Sequence, residues 1–293
     1  MSRDMWSPGQ YRAYAAERAR PFYELLARID VDTPASVVDL GCGPGERTAD
    51  LAARWPYAVV EGIDSSEQMI AEARRETPDR ARPHPGAEGG GRRAHERTED
   101  APALRFAVGD LAEWAPHRPV DVIFSNAALQ WVPGHQRLLP RWVEALAPGG
   151  RLAFSMPGNF DAPSHVILRE LCGSPRWADR LVRTIRHDVV SAPADYLELL
   201  SGLGCEVDAW ETTYLQVLPG PDPVLDWMKG TALRPVLDAL SEPGEPEEFL
   251  AGLAARLRAA YPRGTRGTVF PFRRIFVVAG PARPALAEER TTR

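Results

Sequence analysis

The fold class of this chain follows from the run Val37-Val38-Asp39-Leu40-Gly41-Cys42-Gly43-Pro44-Gly45. Its apolar first half is typical of a buried strand, and the glycines that follow are typical of a tight turn that opens a helix. Because glycine has no side chain, Gly41 and Gly43 can take a positive φ angle and let the backbone approach a ligand closely. A helix that starts near Gly45 aims free N–H groups at the same place. The run therefore predicts a cofactor site at the end of a strand.

The spacing of these glycines favours one kind of cofactor. The dinucleotide fingerprint G-x-G-x-x-G would need its third glycine at position 46, where this chain has Glu46. A pyrophosphate above Glu46 would meet a negative charge, which counts against a nicotinamide oxidoreductase. The spacing G-x-G-x-G suits a zwitterionic ligand without a phosphate, such as S-adenosylmethionine.

Two further predicted strands end in acidic residues. Val59-Val60-Glu61-Gly62-Ile63-Asp64 is one, and Phe106-Ala107-Val108-Gly109-Asp110-Leu111 is the other. Asp64 can hold ribose hydroxyls, and Asp110 is suited to the amino group of an adenine. Ligands of open α/β sheets bind outside the carboxyl ends of the strands, so we expect these strand ends to meet at one ligand. Each aspartate alone is equally suited to capping a helix or a turn.

The order of the elements predicts an α/β fold with a Rossmann-like, doubly wound and mostly parallel sheet. Strands are predicted over 36–40, 58–63, 104–108, 120–124 and 150–155, with helices over 11–29, 45–55, 66–76 and 135–146. Two later strand-like pieces, 205–214 and 274–279, predict an antiparallel edge hairpin that makes the sheet seven-stranded. Helical patterns near 163–172, 193–201, 223–230 and 246–260 predict a helical cap over the substrate.

We expect the whole chain, 1–293, to form a single domain. Its predicted parts are an N-terminal helical cap (1–33), a cofactor-binding core (34–156), a substrate cap with the edge strand (157–270) and the last strand (271–282). The stretch 79–101 is rich in Pro, Gly, Arg and Glu and has too few apolar residues to bury a core, so it predicts a flexible insertion. A disordered tail is predicted over 283–293.

Composition argues against several classes of protein. The net charge of −5 and the pI near 5.8 give no electrostatic reason to bind nucleic acid or an anionic membrane. No run approaches the roughly 18 apolar residues of a membrane-spanning helix, and the N-terminus lacks an apolar signal region. The three cysteines are odd in number and have no C-x-x-C spacing, and no histidines are paired at helical spacing. We therefore expect a cytoplasmic protein without a metal site. The sequence does not decide the oligomeric state, for which we favour a monomer.

Further motifs extend over nearly the whole chain. They are Ala16-Glu17-Arg18-Ala19-Arg20-Pro21, Asp39 to Gly45, Gly62-Ile63-Asp64-Ser65-Ser66, Met69-Ile70-Ala71-Glu72-Ala73-Arg74, Ser125-Asn126-Ala127-Ala128-Leu129-Gln130-Trp131, Met156-Pro157-Gly158-Asn159, Ser164-His165-Val166, Gly204-Cys205-Glu206-Val207-Asp208 and Leu233-Arg234-Pro235. With them the chain resembles the class I S-adenosylmethionine-dependent methyltransferases and, among these, the trans-aconitate 2-methyltransferases. The glycine motif specifies only the cofactor class, whereas the C-terminal motifs are narrower. The insertion 79–101 and the region 174–192 depart from the family pattern.

The resemblance implies S-adenosylmethionine as the cofactor and a set of residues that bind it. Asp39, Gly41 and Gly43 are expected at its methionine end, Asp64 and Ser65 at the ribose, Met69 at the adenine, Asp110 with Leu111 at the adenine rim, and Asn126 near the transferred methyl group. Trp131 is expected to wall the acceptor side, although a large aromatic residue is equally suited to core packing.

The implied reaction is an in-line attack of an acceptor oxygen on the methyl group. A carboxylate acceptor is already deprotonated, so no catalytic base is required. The protein then contributes alignment of the reacting atoms, and Asn126 and Trp131 are the candidate residues for this role. Alignment of this kind can lower the activation free energy by about 7 to 11 kcal/mol. A small anionic carboxylate substrate needs local cations in an acidic protein, and we expect Arg18 and Arg234 to supply them. Further candidate substrate-binding residues are Tyr14, His165 and Tyr214.

Two other functions fit the same sequence. The first is O- or C-methylation of a secondary metabolite, which would need a base and a more apolar pocket. The second is a non-catalytic S-adenosylmethionine-binding protein. The intact motifs at the cofactor turn and after the fourth strand count against the second possibility.

Overall fold

A computed structural model describes residues 15–76, 104–185 and 190–282. The predicted insertion 79–101 and the predicted tail 283–293 lie outside these residues, and so does Tyr14.

Strands and helices alternate through the first half of the described chain, and helices dominate the second half. The helices are α1 (Ala15–Ala27), α2 (Glu46–Arg54), α3 (Glu67–Glu76), α4 (Leu139–Glu144), α5 (Pro163–Cys172), α6 (Ala178–Leu181), α7 (Pro193–Ser201), α8 (Pro223–Lys229), α9 (Arg234–Asp238) and α10 (Glu245–Ala260). The strands are β1 (Ser36–Leu40), β2 (Val59–Asp64), β3 (Leu104–Val108), β4 (Val120–Asn126), β5 (Leu146–Pro157), β6 (Cys205–Leu218), β7 (Arg263–Gly264) and β8 (Gly267–Pro281). Short 3₁₀ turns cover Leu129–Trp131, His135–Leu138 and Val182–Thr184.

The strands form one sheet in the order β3-β2-β1-β4-β5-β8-β6, and the two-residue β7 pairs with β8. Strands β1 to β5 pair in parallel, whereas β8 is antiparallel to both β5 and β6. The predicted Rossmann-like, mostly parallel sheet with antiparallel edge strands is confirmed. The strand order reverses between β1 and β4, which is the point where sheets of this kind bind ligands.

The sequence explains how several helices begin. Pro163, Pro193 and Pro223 stand in the first turns of α5, α7 and α8, where the missing N–H of proline costs no hydrogen bond. In α10 the first turn carries Glu245, Glu247 and Glu248 and the last turn carries Arg258, so the charges oppose the helix dipole. Local chemistry thus fixes the ends of the cap helices.

The prediction of one helix over 135–146 is wrong. A 3₁₀ turn over His135–Leu138 leads into the short α4, and Leu146 already belongs to β5. Between Val120 and Val122 the pairing of β4 with β5 shifts register, and Gly149 on β5 has a φ angle of +78°. A bulge that glycine allows therefore extends β5 through a segment that reads as a turn. Strands β6 and β8 are also longer than predicted.

Alternating side chains fill two cores, one on each face of the sheet. Val37, Phe124 and Phe276 belong to the core that α1, α2 and α3 cover. Their neighbours Val38 and Ile123 belong to the opposite core, which α4 and α7 cover. A third apolar cluster joins α5, α8, α9 and α10 to the far ends of β6 and β8. The cap is therefore packed on the two antiparallel strands.

One carboxylate holds α1 on the edge strand β6. Glu24 accepts hydrogen bonds from Trp210 Nε1 at 2.9 Å, from Thr212 Oγ1 at 2.5 Å and from Tyr214 Oη at 2.6 Å. The guanidinium of Arg20 lies 4.8 Å from the centroid of the Tyr214 ring. Burial alone would raise the pKa of Glu24, but the hydrogen bonds outweigh it and lower the pKa below its usual value.

We predict that Glu24→Gln lowers the free energy of unfolding by about 1 to 3 kcal/mol, because an amide is a weaker acceptor for three donors than a carboxylate. The lowered pKa means that this stabilisation is present above the unfolded-state pKa and is lost as the pH falls through the folded-state pKa. The difference in the free energy of unfolding between wild type and Glu24→Gln should therefore shrink at acid pH. Urea unfolding at neutral and acid pH measures it, with the exposed Glu206→Gln on β6 as control. Equal effects of the two substitutions would contradict the assignment.

Candidate functional site

The turn after β1 is fastened to the end of β2. Gly41, Gly43 and Gly45 have φ angles of +83°, +56° and +82°. The amides of Gly41 and Cys42 both donate to the carbonyl of Ile63, at 2.7 and 3.0 Å. The positive φ angles turn these N–H groups toward β2, so the predicted strand, glycine turn and helix are present as one rigid unit.

The three glycines serve different purposes. A Cβ at Gly41 would lie 2.2 Å from the Cβ of Ala128, and a Cβ at Gly45 would lie 2.8 Å from the ring of Phe106. A Cβ at Gly43 would meet no atom of the described chain within 4 Å. Packing within the protein therefore requires Gly41 and Gly45, whereas Gly43 faces open space in which a ligand can reach the backbone.

Asp64 joins the turn to the start of the next helix. Its Oδ2 accepts from the amide of Gly43 at 2.9 Å, and its Oδ1 accepts from the amide of Ser66 at 2.9 Å. Burial raises the pKa of Asp64 against the effect of these bonds. A carboxylate has about four acceptor positions, so it can still accept from the hydroxyls of a ribose. Ser65 is exposed beside it, and both ribose assignments stay predictions.

Asp39 is a buried acid near the carboxyl end of β1. Its Oδ2 accepts from Thr48 Oγ1 of α2 at 2.7 Å. Burial raises the pKa of Asp39 to about 7 despite the bond from Thr48, and the charge of Asp64 raises it further. A cation beside Asp39 would favour the charged form.

The predicted adenine side contains two buried apolar residues and one exposed acid. Met69 on α3 and Leu111 after β3 are buried. Asp110 is exposed, and its Oδ1 accepts from the amide of Ala112 at 2.8 Å. Asp110 therefore caps the turn after β3, which is the alternative role that the sequence allows, and its contact with an adenine stays a prediction.

The end of β4 holds a strained backbone beside the glycine turn. Ala127 has a φ angle of +59°, the one positive φ among the non-glycine residues of the described ranges. Such a conformation costs an alanine about 1 to 2 kcal/mol. The amide of Ala127 donates to the carbonyl of Ser155 at 2.8 Å, and its carbonyl accepts from Gln130 Nε2 at 2.6 Å. These bonds hold the strained residue in place directly after Asn126.

Asn126 is joined to a residue that the sequence analysis missed. Its Oδ1 accepts from Ser155 Oγ at 2.6 Å and from Arg274 Nη2 at 2.9 Å. Arg274 lies on β8 and is only 5% exposed. In the sequence it reads as the first residue of a strand. The one signal that could have found it is a charge directly before the apolar run that ends at Ala279, and its neighbour Arg273 weakens even that signal.

The strand register sets these polar side chains on one face of the sheet. Asp39 pairs with Phe124, and Asn126, two residues further along β4, pairs with Ser155. Ser155 pairs with Phe276, and Arg274 stands two residues from Phe276 on the same face of β8. Because paired residues and residues two apart share a face, the polar row Asp39, Asn126, Ser155 and Arg274 lies on the face that α1 covers.

The structure does not place either of the two predicted cations, Arg18 and Arg234, beside this polar row. The side chain of Arg18 lies outside the described part of the chain, as does Tyr14. Arg234 is the first residue of α9 and follows the buried Leu233 in the cap cluster. The roles of these residues in substrate binding stay predictions.

The other substrate candidates lie in three different settings. Burial lowers the pKa of His165 to about 4, with a smaller effect from Arg169, so its imidazole is neutral at pH 7. Tyr214 donates its hydroxyl to Glu24, and burial, together with Glu24, raises its pKa well above the usual value. A bond from Tyr214 to a substrate carboxylate would have to replace the bond to Glu24. Trp131 ends the 3₁₀ turn after β4 and is partly buried.

The described residues contain neither a metal-binding cluster nor a helix that could span a membrane. Within 15–76, 104–185 and 190–282, no group of three or more His, Cys, Asp or Glu side chains is arranged to hold a metal ion. No helix in the same ranges has both the length and the apolar character to cross a membrane.

Comparison with known proteins assigns the chain to a family. Residues 11–208 match the family described as a methyltransferase domain. The chain is a methyltransferase. A trans-aconitate 2-methyltransferase of Streptomyces avermitilis is 53% identical over 94% of this methyltransferase and 96% of that protein. Proteins of the same name from Rhodococcus jostii and Mycobacterium tuberculosis are 50% and 46% identical over 94% of this chain, and over 99% and 96% of their own.

Solved structures show the same fold at low sequence identity. A phosphoethanolamine N-methyltransferase of Haemonchus contortus, in complex with phosphomonomethylethanolamine and S-adenosylhomocysteine, is 15% identical, with a TM-score of 0.50 over 90% of this methyltransferase and 53% of that chain. The (4+2)-cyclase SpnF is 17% identical, with a TM-score of 0.51 over 95% and 86% of the two chains. Since a cyclase shares the fold, the fold alone does not specify the reaction.

We predict that Gly43→Ala lowers the affinity for S-adenosylhomocysteine at least about tenfold, because the new methyl group enters the space left for a ligand. Gly204→Ala is a matched control, since Gly204 also has a positive φ angle and open space, but lies before β6. Both substitutions should cost about 1 to 2 kcal/mol of stability. Calorimetric titration and thermal unfolding measure the two effects. Equal affinities in the two variants would contradict a ligand site at Gly43.

We also predict that the affinity for S-adenosylmethionine rises from about pH 6 to about pH 8, because the cationic cofactor favours the charged form of Asp39 and so expels its proton. Asp39→Asn should flatten this rise. The pH dependence that remains would come from Asp64 and from the amino group of the cofactor. Titration calorimetry in buffers of different ionisation enthalpy would count the released proton. An unchanged pH dependence in Asp39→Asn would contradict the assignment.

Proposed function

We propose that this S-adenosylmethionine-dependent methyltransferase esterifies a carboxylate of trans-aconitate or of a related small polycarboxylate. The observation that carries the proposal is the identity of 46 to 53% to proteins named trans-aconitate 2-methyltransferase over 94% of the chain. The matching region extends far past residue 208, where the family match ends. It therefore includes most of the cap, where the acceptor would be selected.

The cofactor turn fits S-adenosylmethionine. The open space at Gly43 admits a ligand to the backbone, and Asp39 and Asp64 face the turn with carboxyl groups. We assign the methionine end to Asp39, Gly41 and Gly43 and the ribose to Asp64. When bound, the cofactor supplies a methyl group on a positively charged sulfur, which leaves as a neutral thioether.

The described residues support an anionic acceptor. The protein carries a net charge of −5, so a polycarboxylate needs cations close to the reacting atoms. A buried guanidinium, that of Arg274, lies next to Asn126 at the end of β4. Arg18 and Arg234 are proposed as further cations. A carboxylate acceptor is ionised at neutral pH, so this chain needs to align it and exclude water rather than remove a proton.

We also propose a cytoplasmic location. Cys42, Cys172 and Cys205 are all buried and none forms a disulfide. Buried thiols of this kind fit a reducing compartment.

We predict rapid base-labile methylation of trans-aconitate by the purified protein with labelled S-adenosylmethionine. Citrate, isocitrate and cis-aconitate, assayed separately, should be poorer acceptors, because they present their carboxylates in a different geometry. The readout is methyl ester formed per enzyme. Cofactor binding without esterification of any of the four acids would contradict the proposal and favour a secondary-metabolite acceptor or a non-catalytic protein.

A further inference from the structure

Arg274 reaches the cofactor edge because of where β8 inserts into the sheet. The strand lies between β5 and β6, and Arg274 pairs with Pro157 of β5 and Thr212 of β6. At 5% exposure its guanidinium is almost fully removed from water. An arginine stays charged in a protein. A permanent positive charge is therefore buried at the end of the polar row that begins at Asp39.

The contact with Arg274 fixes the orientation of the Asn126 amide. A guanidinium has donors and no acceptor, so the atom of Asn126 that faces Arg274 Nη2 must be the carbonyl oxygen. Ser155 Oγ donates to the same oxygen. The amide nitrogen Nδ2 then points away from both residues as a donor. The N–H donors of Asn126 Nδ2 thus lie beside the guanidinium of Arg274.

A side chain holds the backbone next to Arg274 in place. Beyond the end of β5, Asn159 Oδ1 accepts from the amide of Arg273 at 2.7 Å, and Asn159 Nδ2 donates to the carbonyl of Arg273 at 3.1 Å. The amide of Gly158 donates to the same carbonyl at 2.9 Å. The side chain of Asn159 acts as a substitute for a strand partner, which preorganises Arg274 before any ligand binds.

We propose that Arg274 binds a carboxylate of the acceptor other than the one that is methylated, and that Asn126 Nδ2 orients the reacting carboxylate. This inference rests on the proposed function and deepens it. The planar guanidinium suits a carboxylate, and the pair is strong where water is excluded. A carboxylate held tightly by an arginine is a weaker nucleophile, so the non-reacting group is the better partner for Arg274.

The assignment makes Arg274 a determinant of specificity. An acceptor without the matching carboxylate lacks the charge-assisted pair with Arg274 and should be bound more weakly. The enzyme should therefore require at least two carboxylates, one held and one methylated.

The test compares Arg274→Met and Arg274→Lys with Arg273→Met. Arg273 is adjacent in sequence but lies on the opposite face of β8, where it pairs with Glu211 at 2.5 Å. We expect Arg274→Met to lower kcat/KM for trans-aconitate about 100-fold or more and Arg274→Lys to recover part of the loss. Arg273→Met should retain wild-type kinetics. Affinity for S-adenosylhomocysteine, within about twofold of wild type in every variant, would show that the cofactor site is intact.

Three analogues each lack one carboxylate of trans-aconitate and so identify the one that Arg274 binds. Mesaconate lacks the carboxylate of the CH₂ arm, cis-glutaconate lacks the central one, and itaconate lacks the one on the alkene CH. We expect Arg274→Met to lose little further kcat/KM on one of them, or little further inhibition if that analogue is not turned over, because the partner of Arg274 is already missing. Equal losses on all four acids, or wild-type kinetics in Arg274→Met, would overturn this inference alone. A wild-type enzyme that binds cofactor but esterifies none of the acids would overturn the proposed function as well.

Discussion

The locked turn after β1 is the constraint on which the site depends. The amides of Gly41 and Cys42 share the carbonyl of Ile63, and the amide of Gly43 binds Asp64, so the ends of β1 and β2 cannot move separately. The missing side chain of Gly41 lets Ala128 pack against the turn, which brings the segment after β4 to the same point. Three strand ends are thereby fixed around the space at Gly43, at the place where the strand order reverses.

A second set of contacts joins α1 to the antiparallel strands, where we propose that the acceptor binds. Glu24 fastens α1 to β6 through Trp210, Thr212 and Tyr214, and β8 carries Arg274 between β5 and β6. Burying a guanidinium costs several kcal/mol of desolvation free energy, by general estimate. The proposed anionic acceptor would offset part of that cost. We therefore propose that the parallel strands serve the cofactor and that the antiparallel strands serve the acceptor.

Local patterns predict the parallel half of this structure well. Apolar runs ending in glycine or aspartate identify β1 and β2, and the glycine spacing predicts the turn that the structure shows. Arg274 and Glu24 could not be found in this way, because their partners are more than a hundred residues away in sequence. The same reason explains why the bond from the Tyr214 hydroxyl to Glu24 could not be predicted, and the contact of Tyr214 with substrate stays a prediction. Long-range register, rather than local pattern, decides what these side chains touch.

The most direct test is a crystal structure of the enzyme with S-adenosylhomocysteine and trans-aconitate. We predict the homocysteine part against the Gly43 backbone, one carboxylate on the guanidinium of Arg274, and a second carboxylate near Asn126 Nδ2, facing the sulfur. An acceptor bound in the cap around Arg234, with Arg274 making no contact to it, would contradict the proposed roles of Arg274 and Asn126.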